Sequence, residues 1–292
     1  MNDIFSSVIT ALVTPFVNDR IDFASLDKIM AHQIAGGIKS VIIAGSTGEG
    51  TSLEAQEYQE LIKASVAYSK KLNIIVACNH SSTKKAIEMA KQAQKIGAAG
   101  LMLTIPYYNK PTQEGLCRHF TALHQATNLP IMLYSVPSRT GVDFSDQTIF
   151  KLCELERIVA FKDAGSDLAR PLRIFHKIAN RLKLLAGDDA LALAFNAQGG
   201  SGLVSVASNL VPQRIVEIQN LWLQNNQAAA LSKHSKLLPL YKALCLETNP
   251  VAIKHAMETL RLCSREVRPA LCELSGANGL LLAAALENIF KD

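Results

Sequence analysis

Eight short apolar runs punctuate the chain, at residues 8–13, 40–44, 73–77, 100–105, 130–134, 158–161, 182–186 and 202–206. Each is almost continuously hydrophobic, and polar or glycine-rich residues follow it. A strand covered by helices on both faces buries both of its sides, so it shows an unbroken run where a half-exposed strand would alternate. Between the runs the apolar spacing lengthens to a helical period. Leu26, Ile29, Met30 and Ile34 share one face, and Gly36-Gly37 predicts a left-handed end to that helix. Thr51-Ser52-Leu53-Glu54 predicts a capping box ahead of a helix carrying Leu61, Ile62, Ser65 and Val66. Ile96-Gly97 and residues 197–200 are further stop signals. Strand and helix alternating eight times predict an α/β fold, a closed parallel (β/α)8 TIM barrel. An open doubly wound sheet is the alternative, but no G-x-G-x-x-G follows the first run.

After Pro212 the pattern turns helical throughout. Segments 213–223, 227–244, 250–262 and 280–289 predict helices, with Pro239 bending or breaking the second. The expected division is a catalytic barrel over residues 1–224 and a small C-terminal helical domain over 225–292.

Composition narrows the class. The 292 residues are 49% hydrophobic and 19% charged, enough for one large barrel with an appendage. Thirty Lys and Arg against 25 Asp and Glu give a net charge of +5, and the cations are scattered. That distribution suits a solvated surface or a mild attraction for anionic metabolites, and argues against nucleic acid as a partner. Cys78, Cys117, Cys153, Cys245, Cys263 and Cys272 form no C-x-x-C pair and lie at no zinc spacing from histidine. They read as reduced thiols buried as small hydrophobes. Residues 1–10 contain Asp3 and no basic start, unlike a signal peptide. No stretch reaches the ~20 apolar residues that cross a bilayer. The expectation is a cytoplasmic protein without a membrane partner.

In a barrel of this kind the chemistry sits at the C-terminal ends of the strands. There the sequence places Gly45-Ser46-Thr47-Gly48-Glu49, Pro106-Tyr107-Tyr108-Asn109, Tyr134 through Gly141 with Arg139, Lys162 and Gly187-Asp188-Asp189. Lys162 is the most informative. An amine inside an apolar strand loses hydration, which lowers its pKa and frees the nucleophilic neutral form. Schiff-base chemistry with a ketone needs that form; a lysine snorkelling to solvent at a strand end is the plainer alternative. The Gly45 to Glu49 turn can converge backbone N–H groups and the Ser46 and Thr47 hydroxyls on a carboxylate, or be only a turn. Tyr134 can both donate and accept a proton, or be a packed aromatic. Arg139 can grip a second carboxylate in bidentate fashion, or sit idle on the surface.

Taken together, these motifs resemble the dihydrodipicolinate synthase and N-acetylneuraminate lyase family of pyruvate-dependent aldolases. The likeness runs nearly end to end: 11–15, 45–49, 106–115, 133–141, 161–165, 187–190 and 199–206, in order. Residues 136–141 with Arg139 place it on the synthase side. The resemblance implies a Schiff base between Lys162 and pyruvate. It implies that Thr47 binds the pyruvate carboxylate and that Tyr134, Ser46 and Tyr108 relay protons, with Tyr108 contributed across a dimer interface. Arg139 would take the carboxylate of the aldehyde, and Gly187 and Val204 would line the pyruvate pocket. The implied reaction condenses pyruvate with L-aspartate 4-semialdehyde, in lysine and diaminopimelate biosynthesis, in a homotetramer needing neither metal nor other cofactor. A sibling aldolase or dehydratase acting on a sialic or 2-keto-3-deoxy sugar acid shares the pyruvate half-site, and a silent binding protein on the same fold is the third reading.

The chain departs from the family pattern in four places. Ser46 replaces a threonine, Ser135 an asparagine and Asp163 a glutamate. In lysine-inhibited relatives the inhibitor pocket uses two histidines, an asparagine and a glutamate; Ala55, Tyr58, Ser81 and Lys85 stand there. Lys85 would face the ammonium of lysine with like charge, so insensitivity to L-lysine is expected.

Overall fold

The structure, a computed structural model, describes residues 4–178 and 181–291. The first three residues of the N-terminal stretch considered above lie outside that range. Eight parallel strands close into a barrel: β1 (Ser7–Ala11), β2 (Ser40–Ile43), β3 (Asn73–Ala77), β4 (Gly100–Thr104), β5 (Ile131–Ser135), β6 (Ile158–Asp163), β7 (Lys183–Ala186) and β8 (Gly202–Ser205). Each pairs with its neighbour in sequence, and β1 closes the ring by pairing with both β2 and β8. The eight predicted runs match these strands to within a few residues. Runs 8–13 and 100–105 continue past the strand ends into the rim, where Val13 and Ile105 stay buried.

Alternation along the strands builds two cores. Inward residues, among them Ile9, Ile42, Met102, Tyr134, Ala160, Leu185 and Val204, fill the barrel. Outward residues such as Val41, Ile74, Leu133, Phe161 and Leu184 pack under the helices. The strands therefore read as continuous because each side faces a different apolar layer.

The helix Phe23–Ala35 buries Leu26, Ile29 and Met30, and Gly37 supplies the left-handed turn with φ +84°. The capping box at the next helix exists but is shifted. Thr51 and Ser52 are taken up in the short turn Gly50–Ser52, so Glu54 becomes the cap of Ala55–Val66 and exchanges bonds with Glu57. A hairpin, Phe16–Val17 with Arg20–Ile21, was not foreseen; two residues per strand are too short to show a period.

The helix Pro212–Leu223 ends the barrel, and left-handed Asn225 turns the chain into Gln227–Lys236. Pro239 does break the predicted 227–244 helix: a new one, Leu238–Leu244, begins with the proline in its first turn, where no N–H is needed. Val251–Thr259 and Gly276–Phe290 follow. The cysteine expectation holds only in part. Cys78, Cys153 and Cys263 are buried, Cys117 is half-buried, and Cys245 and Cys272 are exposed. No helix among the described residues is long and apolar enough to cross a membrane.

Candidate active site

Lys162 enters the barrel from β6, in register with Tyr134 on β5 and Leu185 on β7. Its neighbours Phe161 and Asp163 belong to the opposite face. The lysine is 6% exposed, and its Nζ lies 4.1 Å from the centroid of the Tyr134 ring. Burial brings the amine down to about 7; the charge of Asp189 opposes the fall and that of Arg139 assists it. A substantial neutral fraction near pH 7 makes the amine a nucleophile. Burial pushes the Tyr134 phenol up, against the charge of Arg139 and a side-chain hydrogen bond with Ser46. Tyr134 is therefore protonated at neutral pH and can donate.

The turn after β2 is held from several sides. Glu49 N–H donates to Ser46 O and Gly50 N–H to Gly45 O, at 3.2 and 3.0 Å. The Thr14 hydroxyl donates to Gly48 O at 2.7 Å. A Cβ on Gly50 would stand 1.8 Å from Ala44 O, so only glycine lets the chain double back here. Among the described residues the amides of Thr47 and Gly48 have no hydrogen-bond partner. Two free amides beside the buried Thr47 hydroxyl are the donor types that an anion-binding turn uses.

A cavity of about 440 Å³ opens at this rim, with Ser46, Tyr107, Arg139 and Asn249 in its wall. Ser46 links that wall to Tyr134, and Tyr134 leads to Lys162. Arg139 sits on the short helix Pro137–Thr140 and donates from Nη2 to Asn249 O at 3.0 Å. Val204 belongs to the same inner cluster as Tyr134. Gly187 follows β7 and donates to Asp163 O at 2.7 Å; a Cβ there would meet Ala164 at 2.7 Å. Tyr108, expected to act across a dimer interface, has φ +71° and is 91% exposed, while its neighbour Tyr107 lines the wall.

A sequence profile of the dihydrodipicolinate synthetase family matches residues 4–289. The chain belongs to this family. It is 52% identical over 274 residues to the 4-hydroxy-tetrahydrodipicolinate synthase of Rickettsia bellii, covering 94% of this chain and 93% of that one. Among solved structures it superposes on the 4-hydroxy-tetrahydrodipicolinate synthase from Methylacidiphilum fumariolicum SolV with a TM-score of 0.96. The identity is 38%, over 98% of this chain and 96% of the other. The chloride-inhibited dihydrodipicolinate synthase from Acinetobacter baumannii, complexed with pyruvate, gives 0.94 at 34% identity over 97% and 98%.

Against that dihydrodipicolinate synthetase frame, two of the chain's departures meet in one network behind Lys162. The Ser135 hydroxyl donates to Asp143 Oδ1 at 2.5 Å. Arg170 donates to Asp143 and, at 3.2 Å, to Asp163 Oδ2, while Gly165 N–H holds Asp163 Oδ1 at 2.8 Å. Burial pushes the Asp163 carboxyl up and Arg170 pulls it back. Arg170 thus joins Asp143 and Asp163, and through Asp143 the Ser135 hydroxyl, in one network. Arg170, Asp143 and Asn249 were not foreseen: the first two lie outside the apolar runs, and Asn249 meets its partners only across 110 and 202 positions. Sequence reading quoted Asp189 without a role. That carboxylate accepts from the Ser205 hydroxyl at 2.5 Å and from the amides of Val206 and Ala207, fixing the loop after β8.

Proposed function

We propose that the protein condenses pyruvate with L-aspartate 4-semialdehyde through a Schiff base at Lys162, in lysine and diaminopimelate biosynthesis. The observation that carries this is the buried Lys162 amine, brought down to about 7 and lying against a protonated Tyr134, with the Thr47 and Gly48 amides in the turn after β2. Thr47 and the amides around it receive the pyruvate carboxylate. The neutral amine adds to the ketone carbon, Tyr134 protonates the departing oxygen, and loss of water leaves a protonated imine. The imine draws electrons from the methyl carbon, which loses a proton and becomes an enamine. The enamine carbon bonds to the aldehyde carbon, whose oxygen takes up a proton. Arg139, exposed at the cavity mouth, holds the second carboxylate in bidentate fashion. The amine of the semialdehyde then adds to the imine carbon, closing the ring and expelling Lys162. No metal or further cofactor enters these steps. Gly187 and Val204 shape the pyruvate side.

Tyr108 completes the relay from a second copy of the chain, within a homotetramer. Its exposure suits that role, and a protein that sediments as a monomer at working concentration would remove it.

The test is turnover of the two substrates, coupled to a downstream reductase, for wild type and Lys162→Ala. Loss of several orders of magnitude in the variant is expected. Wild type that turns over nothing, yet is trapped by pyruvate and borohydride, would redirect the reading to a sugar-acid aldolase.

L-Lysine is not expected to inhibit. A cavity of about 400 Å³ is walled by Ala55, Tyr58, Lys85 and Glu88 among others. The Tyr58 hydroxyl there is engaged with Ala77 O and Cys78 Sγ, and Lys85 repels the α-ammonium of an incoming lysine. Half-inhibition of turnover below a millimolar lysine concentration would contradict this.

A further inference from the structure

Segment 247–250 lies in the C-terminal region, far in sequence from every strand end, yet its Asn249 touches both halves of the site. Its side-chain Nδ2 donates to Thr47 Oγ1 at 2.9 Å. Its backbone oxygen accepts from Arg139 Nη2 at 3.0 Å. The residue also lines the rim cavity between them. The segment around it is anchored at both ends. On one side Glu247 Oε1 accepts from Ser275 N–H at 3.0 Å and from Asn278 Nδ2 at 2.8 Å. On the other, Lys254 Nζ reaches Glu49 Oε1 at 2.5 Å and Glu266 O at 2.7 Å. Lys254 is fully buried, and Glu49 is the last residue of the turn that carries Thr47. The asparagine is therefore held in place independently of any substrate.

A threonine hydroxyl has one proton to give and lone pairs to accept with. When an amide N–H occupies its oxygen, the hydroxyl is set as an acceptor on that side. Its own proton is left for another acceptor, which a carboxylate held at the unpartnered Thr47 and Gly48 amides would supply. We propose that Asn249 is a positioning residue that orients the Thr47 hydroxyl to donate to the pyruvate carboxylate while its backbone carbonyl fixes Arg139 for the second substrate. The C-terminal region thus contributes a part of the active site. This rests on the pyruvate reading above and assigns a residue that reading does not use. The two contacts separate cleanly, because the first belongs to the side chain and the second to the backbone.

The experiment is steady-state kinetics on wild type, Asn249→Ala and Asn249→Asp, with pyruvate and borohydride trapping at Lys162 run alongside. Asn249→Ala removes the donor to Thr47 and keeps the carbonyl to Arg139. Its pyruvate KM is expected to rise about tenfold, the loss of one hydrogen bond to a charged partner's donor. Its aldehyde KM should change less than about twofold, and saturating pyruvate should still trap the variant fully. Asn249→Asp keeps the shape but can only accept, so it draws the Thr47 proton away and adds a negative charge beside Thr47. Its pyruvate KM should rise further than that of the alanine variant, and it decides the matter if the alanine variant does not fold. A pyruvate KM unchanged in the aspartate variant overturns the proposal. So does an equal rise in both KM values, which marks a general collapse of the rim. Wild type that pyruvate and borohydride fail to trap would bring down the underlying pyruvate reading itself, a result separate from either.

Discussion

A lysine amine taken out of water can keep its charge by finding a carboxylate, or give up the proton. This protein shows both. Lys254 is wholly buried with Glu49 Oε1 at 2.5 Å; burial brings its amine down, and that carboxylate counters the pull. Lys162 is as deeply placed, but among the described residues it forms no salt bridge, and its amine falls to about 7. One lysine is a strut and the other the proposed nucleophile, and the difference is the partner, not the depth. If the neutral amine is the reacting form, kcat/KM for pyruvate should rise about tenfold per pH unit below pH 7 and level off above it. The sign follows from the direction of the shift: a lowered amine pKa moves the ascending limb down from the alkaline range. A limb centred near 10 in a kcat/KM against pH profile would contradict it. Lys162, Tyr134 and Thr47 were legible in the sequence because each stands at or just past the end of an apolar run. Asn249, Asp143 and Arg170 were not, because nothing in their own neighbourhoods marks them. Asn249 meets Thr47 across 202 positions, and only the closed barrel brings them together.

The strands were the most legible elements, for a physical reason. Two apolar layers, one inside the barrel and one beneath the helices, demand an unbroken run. The helix starts were less so, since a helix begins where the rim releases the chain. At Gly50 the tight return past Ala44 uses up Thr51 and Ser52, and the cap falls to Glu54. The same economy of space governs β6 and β7. Gly187 lets the chain after β7 lie against Asp163 and Ala164, directly beside the base of Lys162. Gly187→Ala should force the two strand ends apart. A loss of about 1–3 kcal/mol in urea unfolding is expected, with a weaker pyruvate KM. A variant equal to wild type in both would show that the loop yields without effort.

For the whole molecule, the joint between barrel and C-terminal helices is electrostatic as well as apolar. Lys254 and Arg268 lie over the Phe16 ring at 4.1 and 4.4 Å, and both serve Glu49, one through its ammonium and one through its backbone N–H. Glu266 accepts from the amides of Asn18 and Asp19 in the unforeseen hairpin, adding a second tie. Lys254→Met leaves Glu49 buried without its counter-charge and should destabilise the fold by about 3–5 kcal/mol. Adding Glu49→Gln should restore most of that, because removing both charges together is nearly neutral. Equal losses in the single and double variants, measured by denaturant unfolding, would show that the pair is not what matters. The apolar pattern announced a helical C-terminal region but gave no reason for it, since a charge reveals its partner only in space.

These long ties also impose an order in time. The turn carrying Thr47 is made early in synthesis, while Asn249, Lys254 and Arg268, which hold it, come from the last fifth of the chain. A ribosome-bound barrel thus has Lys162 and the Thr47 turn in hand but not the contacts that hold that turn. On the proposed reading, pyruvate would meet a finished site only once the final helices have docked, so assembly and competence would arrive together, at the end.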